Sequence, residues 1–117
     1  MTIEASCHCG AVHIEADTTP ELLTSCNCSV CRRLGSLWAY DSPSRVRVTG
    51  ETVRYRWGDK LLDLHHCGIC GCTTHWTGID PSVGDRRGIN ARLMDAAVIA
   101  GLRVRRVDGA AGKWAGL

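Results

Sequence analysis

The chain has 117 residues, of which 44% are hydrophobic and eight are cysteine, and its net charge is +2. That length suits one domain with a modest core, and the mild charge excludes a nucleic-acid binder working through a strong basic stripe. No stretch approaches the roughly 20 apolar residues of a membrane helix, and the start Met-Thr-Ile-Glu-Ala-Ser lacks the pattern of a secretion signal. The expectation is a cytoplasmic chain whose thiols stay reduced and serve as metal ligands, not disulfides. Twelve of the fourteen basic residues are arginine, whose planar fork suits carboxylates.

In chain order, Val12, Ile14 and Ala16 alternate with His13, Glu15 and Asp17, the period of a half-buried strand. A single helical turn fits from Cys31 to its closing glycine, Gly35, and a strand fits 36–40. Val46 and Val48 alternate with Arg45 and Arg47, and Val53, Tyr55 and Trp57 alternate with Arg54 and Arg56. Further strands are expected at 61–66, 73–76, 87–91 and 102–107, while 93–100 fits either one or two helical turns or more strand. Turn residues separate these runs at Gly50, Gly58-Asp59, Asp80-Pro81 and Asp108-Gly109. The expectation is one mostly-β domain over 1–117 with very little helix.

The cysteines fall into three groups: Cys7-His8-Cys9-Gly10, Cys26-Asn27-Cys28-Ser29-Val30-Cys31, and Cys67-Gly68-Ile69-Cys70-Gly71-Cys72. A tetrahedral zinc with thiolates at about 2.3 Å needs sulfurs within a few ångströms, which such short spacings deliver from one turn. Glycine in or after the turn lets backbone N–H groups face the sulfurs. A disulfide across C-x-C is strained. Cys7, Cys9, Cys67 and Cys70 make a natural four-thiolate structural site. By joining residues about 60 apart it could contribute roughly 10–16 kcal/mol to folding, as much as the whole stability of a domain, about 5–15 kcal/mol. The middle group leaves two readings. Either Cys26, Cys28 and Cys31 hold a zinc with one open position, as in catalytic sites, or Cys72, His65, His66 or His75 closes a second structural site.

These motifs resemble the glutathione-dependent formaldehyde-activating family. The likeness rests on Cys7-His8-Cys9-Gly10-Ala11-Val12, on Cys26-Asn27-Cys28-Ser29-Val30-Cys31-Arg32-Arg33 and on Cys67-Gly68-Ile69-Cys70-Gly71. Weaker echoes are Gly88-Ile89-Asn90-Ala91-Arg92-Leu93-Met94-Asp95 and Val107-Asp108-Gly109 with Trp114. The resemblance implies a β-tent, a set of small antiparallel sheets folded over zinc. It implies about two zinc ions per chain: a structural one on Cys7, Cys9, Cys67 and Cys70, and a catalytic one on Cys26, Cys28 and Cys31 whose fourth position takes the glutathione thiol. It also implies the family's reaction, addition of glutathione to formaldehyde to give S-hydroxymethylglutathione, classed as a carbon–sulfur lyase for the reverse step.

Other residues admit plainer roles. His65, His66 and His75 fit packed or supporting positions beside the cysteines, and His8 points away from a metal. Arg32 and Arg33 either receive glutathione's carboxylates or form a solvated turn. Arg45, Arg47, Arg54, Arg56, Arg103, Arg105 and Arg106 fit exposed strand faces. Of the six aromatics, Trp38, Tyr40, Tyr55, Trp57, Trp76 and Trp114, one or two could wall a substrate cleft beside the open metal. The alternative function is a non-catalytic zinc module that binds a protein partner or small thiol, and Cys72 suggests a redox role by its position alone. Oligomeric state stays open.

Overall fold

The computed structural model describes residues 2–17, 20–58 and 60–113, so Trp114 lies outside the described residues. Ten strands and two short helices form its frame: β1 (Ile3–Ser6), β2 (His13–Ala16), β3 (Leu22–Cys26), α1 (Cys31–Leu34), β4 (Trp38–Asp41), β5 (Val46–Thr49), β6 (Thr52–Tyr55), β7 (Leu62–Cys67), β8 (Thr73–Gly78), β9 (Arg87–Asn90), α2 (Ala96–Ala100) and β10 (Arg103–Val107). They build a three-stranded sheet ordered β1-β2-β5 and a seven-stranded sheet ordered β10-β3-β4-β9-β8-β7-β6. The expected mostly-β architecture is therefore present. Every pairing is antiparallel except β3 with β10.

The two sheets share an apolar core. Ile3, Ala5, Ile14, Ala16 and Val46 of the smaller sheet pack with Leu23, Ala39 and Ile89 of the larger one, and Val98, Ile99 and Leu102 close over them. Asp95 caps α2 by accepting from the Ala97 N–H at 2.8 Å, which settles 93–100 as a short helix preceded by a 3-10 turn. The opposite face of the large sheet carries a second cluster of Trp38, Leu64 and Trp76. This face holds the cleft described below.

Two strands escape the alternation pattern. β3 is buried on both sides between β10 and β4, so Leu22-Leu23-Thr24-Ser25-Cys26 shows no period. β1 has only four residues and a weak contrast of Ile3 and Ala5 against Glu4 and Ser6. At β6 the strand is present, but Val53 and Tyr55 are 48% and 52% exposed, contrary to a half-buried apolar face. The cause is position: β6 is an edge of the large sheet. Trp57 lies beyond the strand and stacks on Tyr55, ring centroids 5.7 Å apart. Arg56 is no idle surface charge either. It forms a two-pronged pair with buried Asp63 at 2.8 and 3.0 Å, which holds that carboxyl below the ordinary range.

His65 and His75 face each other across β7 and β8, rings stacked at 4.2 Å. Thr52 and Thr77 hydroxyls each lie 2.8 Å from a ring nitrogen of His65, and Thr74 bonds His75 at 2.8 Å. Burial lowers the His75 pKa to about 3, well under its unfolded value near 6.5. Because the unfolded state binds this proton first, stability rises with pH across the window from about 3 to 6.5 and is lost on acidification. We expect His75→Gln to flatten the stability–pH slope by about 1.4 kcal/mol per pH unit between pH 4 and 6. Urea melts across that range check it; equal slopes in both proteins would contradict it.

Candidate metal centres and cleft

The four thiols of Cys7, Cys9, Cys67 and Cys70 converge, with their sulfurs all within 4.8 Å of one another. Two turns of the same design bring them there. In the first, the Gly10 N–H donates to the Cys7 carbonyl and the Cys7 N–H to Val12; in the second, Gly71 donates to Cys67 and Cys67 to Cys72. Gly10 and Gly71 sit at φ of 82° and 80°, the left-handed region where a side chain is strained. These bends leave backbone donors facing sulfur: Val12 N–H lies 3.3 Å from Cys7 Sγ and Ile69 N–H 3.4 Å from Cys67 Sγ. The N–H groups of Cys72 and Cys9 draw the Cys70 thiol down to about 5. The Cys7–Cys9 and Cys9–Cys67 sulfur separations are 3.7 and 3.6 Å. A tetrahedron with metal–sulfur bonds of about 2.3 Å has edges of about 3.8 Å. The donor set fits a metal ion, and all eight cysteines are free of disulfides.

Cys26, Cys28 and Cys31 form the second converging group, again within 4.8 Å. Cys26 ends β3, and Cys31 opens α1, whose first backbone bond runs from Arg32 N–H to the Cys28 carbonyl. Donors again face the sulfurs: Cys28 N–H to Cys26 and Cys31 N–H to Cys28, both at 3.5 Å, and the Trp38 indole N–H to Cys31 at 3.3 Å. Burial pushes the Cys31 thiol up to about 12. Burial also opposes ionisation of Cys28, yet the Cys31 N–H and neighbouring thiols outweigh it and lower that pKa. A bound cation would ionise all three. Among the described residues no further His, Cys, Asp or Glu joins this trio.

Cys72 and the histidines therefore stand outside both groups. Cys72 packs beside the first cluster, its carbonyl closing the second turn. His65 and His75 are the buried stack, His66 is half-buried on β7, and His8 is exposed.

The trio opens into a cleft of about 770 Å³, within the size range of ligand pockets. Trp38, Tyr40, Trp57, Leu62, Leu64 and Trp76 wall it, with Val83 among the remaining lining residues. Four of the six aromatics thus line one space. The Trp76 ring packs against Gly88, opposite it across β8 and β9, because that residue has no side chain: a Cβ there would stand 2.0 Å from the indole nitrogen. Gly88→Ala should displace Trp76 and cost about 1–3 kcal/mol through overpacking. Urea unfolding followed by tryptophan emission checks this, and wild-type stability with unaltered emission would contradict it. A smaller groove of about 360 Å³ around Pro43, Asp80 and Arg87 lies away from the cysteines.

The two arginines after Cys31 part company. Arg32 lines the cleft, whereas Arg33 folds back onto the Ser29 carbonyl at 2.7 Å. Two further cleft residues, Arg86 and Asn27, have no role assigned from the sequence motifs. Arg86 lies over the Tyr40 ring, 5.4 Å from its centroid, while Arg87 turns to the other side to reach the Val46 carbonyl. Asn27 ties the cysteine turn to the segment after β10, donating to Asp108 at 3.0 Å and accepting from the Ala110 N–H at 2.9 Å. Its place between two candidate ligands was the only available signal.

A β protein with two convergent thiol clusters, both fit for a metal ion and one opening on a cleft, defines the class. The chain belongs to the glutathione-dependent formaldehyde-activating enzyme family, whose model matches residues 2–101. A solved structure of a Rhodobacter sphaeroides protein is similar to it, with 27% identity and a TM-score of 0.71 over 88% of this chain and 100% of that one. No curated protein matches. β10 and the cleft residues Gly109 and Ala110 lie beyond the family match. No helix among the described residues is long and apolar enough to cross a membrane.

Proposed function

We propose that the cleft is the site of a carbon–sulfur lyase-type reaction in which a small thiol, glutathione or a similar compound, adds to a small carbonyl such as formaldehyde. The observation carrying this reading is the three-thiol cluster, joined by no fourth ligand among the described residues and facing a ligand-sized cleft. In this reading Cys7, Cys9, Cys67 and Cys70 hold a structural zinc, and Cys26, Cys28 and Cys31 hold a catalytic one. The catalytic ion, when bound, would supply Lewis-acid activation of the incoming thiol.

The chain's own residues supply the rest. The Trp38 indole and the N–H groups of Cys28 and Cys31 orient and stabilise the three thiolates. Arg32, lining the cleft, offers a forked donor to a carboxylate of a glutathione-like thiol. The aromatic walls exclude water and hold the two reactants together. In the step itself the sulfur lone pair forms the S–C bond, the carbonyl π pair moves to oxygen, and that oxygen takes up the proton the thiol gave. Nothing is oxidised or reduced. A reducing, cytoplasmic setting agrees with eight free thiols.

Glutathione titration of the cobalt-substituted protein tests the reading. Visible d–d and thiolate charge-transfer bands should change and saturate. An unchanged four-sulfur spectrum would overturn it. One observation favours a non-catalytic binding module instead: Val53, Tyr55 and Ile69 are exposed near the β6 edge. Unchanged cobalt bands would transfer weight to that reading.

A further inference from the structure

We infer that the carbonyl partner of this site carries an apolar, and best an aromatic, group, so that the adduct the cleft is built to hold is larger than S-hydroxymethylglutathione. The inference rests on the proposed thiol addition and names its substrate class.

Three observations carry it. First, the lining is lopsided. Trp38, Trp57, Leu62, Leu64, Trp76 and Val83 present apolar surface, while the charged side chains lining the cleft among the described residues are Arg32 and Arg86, with no carboxylate. A glutathione-like thiol brings two carboxylates, for which Arg32 offers a forked donor. It brings no large apolar group, and formaldehyde brings none at all. Second, the apolar wall is constructed at some cost to sequence freedom. Trp76 occupies its position only because Gly88 lacks a side chain, and it meets Tyr40 at 5.8 Å in a tilted pair. Third, the space of about 770 Å³ leaves room beside a tripeptide for a substituent on the new S–C bond.

Apolar complementarity predicts the sign and size of selectivity. Even one methylene in a fitted hydrophobic pocket is worth about tenfold or more. A phenyl ring on the carbonyl carbon should therefore be favoured at least that strongly over hydrogen.

The test is calorimetric binding of S-benzylglutathione and S-methylglutathione to the zinc-loaded protein. Both are stable thioethers with the same peptide, so their ratio isolates the group attached to sulfur. The expected result is at least tenfold tighter binding of the benzyl compound. A ratio near one, or no binding of either, overturns the inference. Val83→Asn, a change at a half-buried rim position, should bring the ratio towards one; an unaltered ratio would place the benzyl group elsewhere and also overturn it.

The two proposals fail separately. Benzyl preference with no thiol addition to formaldehyde, benzaldehyde or phenylacetaldehyde would leave the cleft as inferred and remove the reaction. Addition to formaldehyde with a ratio near one would keep the reaction and remove this substrate class.

Discussion

Cys70→Ser is expected to yield a chain that does not reach the native fold, seen as lost amide dispersion in NMR spectra and lost metal content. The four-thiol cluster joins the turn after β1, in the small sheet, to the turn after β7, in the large one. Its members Cys9 and Cys67 are 58 residues apart, with sulfurs at 3.6 Å. Closing such a loop without a cross-link costs entropy that grows with its length. A four-thiolate zinc contributes roughly 10–16 kcal/mol of apparent binding energy, against about 5–15 kcal/mol for the stability of a whole domain. Losing one ligand removes much of that. Removal of metal by a strong chelator should have the same effect. Cys72→Ser is the control: its thiol lies beside the cluster without joining it, so the variant should fold and keep its metal. A natively folded Cys70→Ser protein would refute the structural role.

The opposite behaviour is expected of Cys28→Ser, which should lose thiol addition by about 10³-fold or more while remaining folded. The size follows from the several kcal/mol that Lewis-acid activation supplies. Retention of fold follows from what else holds this turn. Cys26 ends a strand paired on both sides, Asn27 is bonded to Asp108 and Ala110, and α1 closes with Gly35 N–H on the Cys31 carbonyl. None of these uses the Cys28 sulfur. Circular dichroism and metal content should show a native fold with one ion per chain in place of two. Equal loss of folding in Cys28→Ser and Cys70→Ser would erase the distinction between the clusters.

Much of the site was legible because its chemistry is local. The short cysteine spacings sit in single turns, and Gly10 and Gly71 announce the bends, so each cysteine turn could be read from neighbours in the chain, whereas the meeting of Cys7 and Cys9 with Cys67 and Cys70 is made across some 58 residues. What escaped was decided at a distance or by orientation. The parallel pairing of β3 with β10 brings Asn27 to Asp108 across 81 residues; no local pattern encodes it. Arg32 and Arg33 look equivalent in sequence, as do Arg86 and Arg87, and only the backbone direction sends one of each pair to the cleft. The β6 alternation was correct as a period but could not say that this strand would end up on the sheet's edge with Val53 and Tyr55 uncovered. Cys72 was ambiguous for a related reason: its distance from Cys70 along the chain says nothing about whether its sulfur enters the cluster.

The β3–β10 pairing also shapes how the molecule is made. A ribosome adding roughly 5–20 residues per second needs about 4–16 s to reach the residues that pair with β3, 81 positions later. Until then β3 is an open edge, and Cys26 at its end waits without the segment that later closes over it. During synthesis this cluster is thus open to oxidants and to competing soft metals for several seconds longer than the local turn alone would suggest. Cells that starve zinc or raise peroxide while the chain is emerging should damage it more than the same stress applied after synthesis is finished.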